Sequence, residues 1–270
     1  MPALRWSDLA WPELGAQFEP SSTEVGLLPV GATEQHGPHL PTGTDTILAT
    51  AIAEGVSART GAAVLPAIPY GCSYGHGDQF PGTISLTPEE LASLVRQVLE
   101  WAGRSGLRRV LVVNAHFGNT ASLMVATDHL RFHRPDLRAG VVSWWTADPV
   151  VTEATTADGQ DIHANRAETS LMLAVRPELV RVERALAADD PDRTPGLVFR
   201  YTATSLSTNG VTGCPSQATA EQGRFLLDRV VNAIAGLVAK GRAEEPPLLG
   251  PTQVGSLAAC RLDDVTELSQ

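Results

Sequence analysis

The segment GATEQHGPHLPTGTDT, residues 31–46, places Glu34, His36, His39 and Asp45 within twelve residues, among glycines and prolines that forbid a helix. Two carboxylates and two imidazoles held in a stiff loop are donors of the kind that Zn²⁺, Mn²⁺ or Fe²⁺ take. Three further segments carry similar groups: His76 and Asp78, then His116, then Asp161, His163 and Glu168. Five of the seven histidines therefore fall in four short stretches, a concentration that scattered surface placement does not produce. Asp45 has two carboxylate oxygens and so could bridge two ions. A pair of metals roughly 3.5 Å apart generates hydroxide at neutral pH and polarises a carbonyl or phosphoryl group. Simpler readings stand beside this one. Asp45 suits equally well the cap of a following helix, and Glu168 opens a helical pattern whose dipole favours a carboxylate anyway. His39 and His76 have the weakest claims, as residues that only orient neighbours. Asn114 and Asn119 read as structural.

The elements that must position these groups are legible in the apolar pattern. Val25 to Val30, Ala62 to Ile68, Val110 to Val113 and Gly140 to Trp144 are strand-length runs without alternation, as expected for strands buried on both faces. Helical patterns lie between and after them, at Asp45 to Ser57, Pro88 to Arg104, Thr120 to His133, Glu168 to Val175 and Thr219 to Lys240. In the last of these Phe225, Leu226, Val230, Ile234 and Leu237 recur at helical spacing. Thr87, Pro88 and Glu90 form a capping-box signature. The alternation predicts a three-layer α/β/α fold around a mostly parallel sheet, with ligands bound beyond the carboxyl ends of the strands. All four chemistry-bearing segments follow predicted strands. Residues 1–245 read as one domain and 246–270 as an irregular C-terminal arm, while Ala187 to Gly196, rich in Asp and Pro, reads as a surface loop.

Composition narrows the partners. The chain has 270 residues and a formal net charge of -10, which excludes a nucleic-acid or anionic-membrane partner that needs a basic patch. A small molecule or another copy of the chain remains. Cys72, Cys214 and Cys260 are odd in number and unpaired in spacing, which fits a reducing cytoplasm. No run is long enough for a membrane helix.

Four stretches in order, GATEQHGPHLPTGTDT, FPGTISLTPEEL at 80–91, NAHFGN at 114–119 and HANRAETSLML at 163–173, resemble the creatininase family of metal-dependent amidohydrolases. The resemblance spans about residues 20–240. It implies an α/β/α domain, two divalent metal ions per chain with Zn²⁺ foremost and Mn²⁺ or Fe²⁺ as alternatives, and a homohexamer. Carried onto this chain, it implies Glu34, His36, Asp45 and His116 as metal ligands, with Asp45 the bridge. Members that hydrolyse creatinine have a ligand Glu two residues after the matching histidine; here that place holds Gly118, and Glu168 becomes the fifth ligand candidate. Those members also use two aromatic walls. Trp145 supplies the first, but Ala157 to Gln160 leave the second without a ring, which turns the reading away from creatinine.

The expected activity is hydrolysis of a non-standard amide-type C–N bond, in a cyclic amide, formamide or related small amide, by attack of a metal-bridging hydroxide. His163 would stabilise the oxyanion and protonate the leaving nitrogen, with Asp161 a candidate to orient it. Ser73, Tyr74 and His76, in a Gly-rich segment, are the candidate substrate-facing residues. A peptidase acting on a modified peptide, such as the mycofactocin precursor, is the alternative. A phosphodiesterase would want an Arg or Lys clamp, and Arg166 is the only cation near these segments. A non-catalytic metal- or metabolite-binding member is the remaining class.

Overall fold

The computed structural model describes residues 1–19, 22–77 and 80–246. Asp78, Cys260 and the expected arm from residue 247 onward lie outside the described residues. Three strands, β1 (Val25–Val30), β2 (Arg109–Asn114) and β3 (Arg138–Ser143), form a parallel sheet in that order. The expected strand over 62–68 runs parallel to β1 but pairs with it only in places, at Val64 and Ile68. Pro29 in β1 has no N–H to give, and the segment carries one extra residue between the Leu27–Val64 and Val30–Ile68 bridges, so a continuous ladder does not form.

Helices cover both faces. On one side lie α1 (Thr44–Thr60), α4 (Pro149–Thr156), α5 (Arg166–Val175) and α6 (Ala220–Ala243); on the other, α2 (Pro88–Arg104) and α3 (Thr120–His133). Alternate strand residues serve the two cores: Leu27 and Val113 pack with Leu48, Ile52, Leu171 and Val230, while Leu28, Val30 and Val112 pack with Leu91, Val95, Leu99 and Leu123. This is the three-layer α/β/α fold. The capping box forms, with Glu90 N–H donating to Thr87 Oγ1 at 3.1 Å and Thr87 N–H to Glu90 Oε2 at 2.9 Å. In α6 the buried stripe is Leu226, Val230, Val231, Ile234 and Val238; Phe225 and Leu237, expected inward, are exposed. The stripe turns because Gly223 meets α5 so closely that a Cβ there would overlap the Ser170 carbonyl oxygen. No helix among the described residues is long and apolar enough to cross a membrane.

The stretch 187–196 is a surface loop anchored by two buried residues, Ala188 and Asp190. The Asp190 carboxylate accepts from Arg193, Ser207, Thr208 N–H and Thr208 Oγ1 and ties down residues 207–213. Burial works against its charge, but those donors outweigh it and hold its pKa down to about 2. Because the folded value lies below the ordinary one near 3.8, this stabilisation is complete above pH ~4 and lost as pH falls through 2. Asp190→Asn should therefore cost about 2 kcal/mol at neutral pH and flatten the pH dependence of stability between pH ~4 and ~2, as read by urea unfolding at several pH values.

Candidate metal centre

The carboxyl ends of the strands bring the expected residues together. β1 leads into an extended loop in which alternate residues, Glu34 and His36, turn inward, and the same loop ends in the first turn of α1, which delivers Asp45. The α1 cap position is occupied by Gly43, so Asp45 is not the N-cap; it is 1% exposed and aimed at imidazoles. β2 leads to His116. After α4, a turn carries His163, and Asn165 caps α5 by accepting from Glu168 N–H at 3.1 Å. Between them Ala164 adopts φ +51°, the one positive φ at a non-glycine among the described residues, and its N–H donates to Glu168 Oε2 at 2.6 Å. Backbone strain of this kind persists where surrounding contacts over-determine it.

Asp45 Oδ1 lies 3.0 Å from His36 Nε2 and Oδ2 3.2 Å from His116 Nδ1. Glu34 Oε1 lies 3.3 Å from His116 Nδ1 and 3.4 Å from His163 Nδ1. Yet both Glu34 oxygens and Asp45 Oδ2 have no hydrogen-bond partner, and all these groups are buried. Buried carboxylate oxygens without donors are costly unless a cation sits between them. The donors form three overlapping sets suited to metal: Glu34, His36 and Asp45; His36, His163 and Glu168; and Glu34, His76 and His163. The imidazoles are oriented as ligands are. His36 Nδ1 meets the Glu34 carbonyl oxygen at 3.2 Å and His116 Nε2 that of Cys72 at 3.0 Å, which turns the other ring nitrogen of each toward the carboxylates. The residues present therefore fit a pair of divalent ions.

Electrostatics agrees. Burial disfavours charge on His36 and His116, but Asp45 and Glu34 outweigh it and raise them to about 10 and about 9. Without metal, protons on these rings neutralise the carboxylates, and cations binding there would displace them. Burial opposes the charge on Asp45, but His36 and His116 hold its pKa well below the usual range. Burial raises Glu168 to about 7, against the pull of His36 and with help from Asp45. His163 is pushed well below 6.5 by burial and by the neighbouring imidazoles.

The remaining expected residues divide. His76 joins the cluster, its ring 4.2 Å from that of His163 and its Nε2 3.9 Å from Glu34 Oε2. His39 does not; it is buried against Thr169 Oγ1 at 2.8 Å. Ser73 is buried with its Oγ 3.3 Å from His116 Nε2, whereas Tyr74 is exposed on a single 3-10 turn. Trp145 lines the cavity over the cluster together with Phe117 and Ile162. Asp161 accepts from Thr212 rather than from His163 and is not its orienting group. Asn114 and Asn119 are structural: Asn114 Oδ1 accepts from His116 N–H, and Asn119 links the Gly31 carbonyl oxygen to Cys72 N–H. Gln35, passed over in the sequence, touches both His76 and His163. Its one sequence signal was its place between two ligand candidates.

At Gly118 a Cβ would overlap the Cys72 carbonyl oxygen and lie 2.5 Å from His116 Nε2. Gly118→Ala should therefore destabilise by about 2–3 kcal/mol and weaken whatever His116 binds, measurable as a lowered melting temperature together with reduced metal retention on dialysis. A glutamate has no room at this position, and the carboxylate that reaches the cluster from outside the 31–46 loop is Glu168.

The profile of the creatininase family, described as creatinine amidohydrolase, matches residues 7–238. The creatinine amidohydrolase of Pseudomonas putida is 34% identical over 257 residues, covering 89% of this chain and 96% of that protein. A mycofactocin precursor peptide peptidase of Mycobacterium tuberculosis is 37% identical over 240 residues, covering 82% and 87%. Solved creatininase structures described as Mn and as Zn-Zn type superpose with a TM-score of 0.76 at 30% identity, covering 90% of this chain and 100% of theirs. With the fold, the buried donor set and these matches in agreement, the chain belongs to the creatininase family of metal-dependent amidohydrolases.

Proposed function

We propose that the chain hydrolyses the C–N bond of a small non-standard amide, a cyclic amide or a formamide, at the centre beneath Trp145. The observation that carries this reading is the set of buried carboxylate oxygens without donors, set among the imidazoles of His36, His116 and His163 beside one small cavity. Glu34, His36, Asp45, His116 and Glu168 would hold two divalent ions, zinc or manganese, with the Asp45 carboxylate lying between His36 and His116. When bound, such a pair lowers the pKa of water and polarises a carbonyl oxygen. The chain's own residues do the rest. His163, neutral and buried, takes up a proton at Nδ1 and returns it to the departing nitrogen. Glu168, fixed by Ala164 N–H, keeps one oxygen for the centre. Trp145 and Phe117, rings 5.8 Å apart, form an apolar wall that orients the substrate and limits water. Ser73 steadies His116, and Tyr74, exposed on the next residue of that segment, would contact the substrate.

Creatinine is disfavoured as substrate. Gly118 has no room for a ligand carboxylate, and the 157–160 turn is committed to structure: Asp158 accepts from Arg166 N–H and Cys214 N–H, and Gln160 N–H donates to Asp192. A peptidase acting on a modified peptide is the second reading. It is favoured by the exposed ring of Phe117 at the cavity, which suits a longer substrate, and by the relative of that activity. We also assign a homohexamer in the cytoplasm; exposed Met124, Val125 and Phe132 on α3 and Trp101 on α2 supply apolar surface for contacts between copies, and light scattering tests the assembly.

Elemental analysis of the purified protein, followed by a panel of formamides, lactams and modified peptides, tests the function. About two transition ions per chain and turnover that chelation abolishes are expected. Failure to bind zinc or manganese overturns the hydrolytic reading; two ions without turnover on any amide favours a binding protein.

A further inference from the structure

The four imidazoles of the cluster are not oriented alike. His36, His116 and His163 each place one ring nitrogen against a backbone carbonyl oxygen, His163 Nε2 at 2.9 Å from that of Gln35. A carbonyl only accepts, so the proton sits on that nitrogen and the other ring nitrogen faces the carboxylates. His76 breaks the pattern: its Nδ1 lies 2.9 Å from Gln35 Nε2.

The Gln35 amide has one orientation. Gly37 N–H, which can only donate, lies 2.9 Å from Oε1, and the Gly210 carbonyl oxygen, which can only accept, lies 3.2 Å from Nε2. With one Nε2 hydrogen given to Gly210, the other goes to His76 Nδ1. His163 Nε2, also 2.9 Å from Gln35 Nε2, cannot receive it because it is itself donating to the Gln35 carbonyl oxygen. His76 Nδ1 is thereby an acceptor, and in the neutral ring the proton lies on Nε2, the nitrogen that faces Glu34.

We infer that Gln35 is a positioning residue that sets the two imidazoles in opposite roles: its backbone carbonyl makes His163 present a lone pair at Nδ1, and its side-chain amide makes His76 present an N–H at Nε2. Of the three donor sets, the one containing His76 then holds no ion, because the His76 nitrogen facing it carries a proton. His76 becomes the hydrogen-bond donor of the cluster, suited to a carboxylate or to negative charge developing on a carbonyl oxygen, while His163 turns a lone pair to the cluster. This rests on the metal-hydrolase reading for its catalytic meaning, though not for the tautomers.

The test is ¹⁵N-resolved histidine NMR on the zinc-loaded protein, comparing wild type, Gln35→Glu and Gln35→Met. In wild type, His163 and His76 should both carry the proton on Nε2, and zinc should stay at about two per chain in excess metal. Glutamate at 35 replaces the donor by an acceptor, so His76 should move its proton to Nδ1 while His163, held by the backbone carbonyl, stays unchanged. Methionine should leave His76 a mixture of tautomers. In both variants kcat should fall roughly tenfold or more with KM changing less. A wild-type His76 protonated on Nδ1, a third zinc in excess metal, or a His76 indifferent to both variants would overturn the assignment. If the variants fail to fold, the wild-type spectrum alone decides it. Absence of turnover with the expected tautomers would sink the hydrolase reading and leave this one standing.

Discussion

Asp45→Ala is expected to strip the protein of its metal and to lower kcat/KM by roughly 10³-fold or more. Asp45 is the carboxylate that lies between His36 and His116, 3.0 and 3.2 Å from their ring nitrogens, and it is fully enclosed at the start of α1. Without it, the two rings face an apolar gap and share only Glu34. A cation supplies several kcal/mol of transition-state stabilisation, and each ~1.4 kcal/mol is a factor of ten in rate. Stability reports the same loss by another route. Ligands that bind only the folded state stabilise it, so chelation should lower the melting temperature of wild type and leave that of the variant nearly unmoved. The variant should still fold in chelator, because the deleted group includes an oxygen that had no hydrogen-bond partner. Metal retained at the wild-type level would remove Asp45 from the ligand set.

The second large effect is expected of Glu168→Gln, which should leave about one ion per chain and cost roughly 10²-fold or more in kcat/KM. The substitution is conservative for the fold: an amide oxygen still accepts from Ala164 N–H, and the Glu168 N–H remains capped by Asn165. What changes is charge. Beside the neutral imidazole of His36 the carboxylate supplies negative charge to an ion, and a neutral amide is a far weaker ligand for a divalent ion. Elemental analysis beside the melting temperature separates the outcomes. Two ions with normal stability would show that the fifth ligand lies elsewhere, and a large drop in melting temperature under chelation would mean the residue matters to the fold instead.

Much of the fold was legible because buried parallel strands and amphipathic helices leave strong local patterns. β1, α2 and α3 fell where the apolar runs and the capping box put them. The 62–68 run pairs less fully than its apolar character predicts for a local reason, since that character does not report that Pro29 lacks the N–H the ladder needs or that the register shifts by one residue before Ile68. The α6 stripe was misjudged for a tertiary one, the close approach of Gly223 to Ser170 that turns Phe225 outward.

By itself the sequence determined which donors exist and that they follow strands, because ligand chemistry resides in residue type and loop position resides in hydrophobic pattern. It also contained the departure at Gly118. Tertiary structure alone decided that His76 enters the cluster while His39 turns to Thr169, that Asp161 is spent on Thr212, and that Gln35 joins His76 to His163. The physical reason is that an imidazole's role depends on which of its nitrogens is protonated. That is set by partners such as the Gly210 and Cys72 carbonyl oxygens, which come from distant parts of the chain and meet only in the folded state.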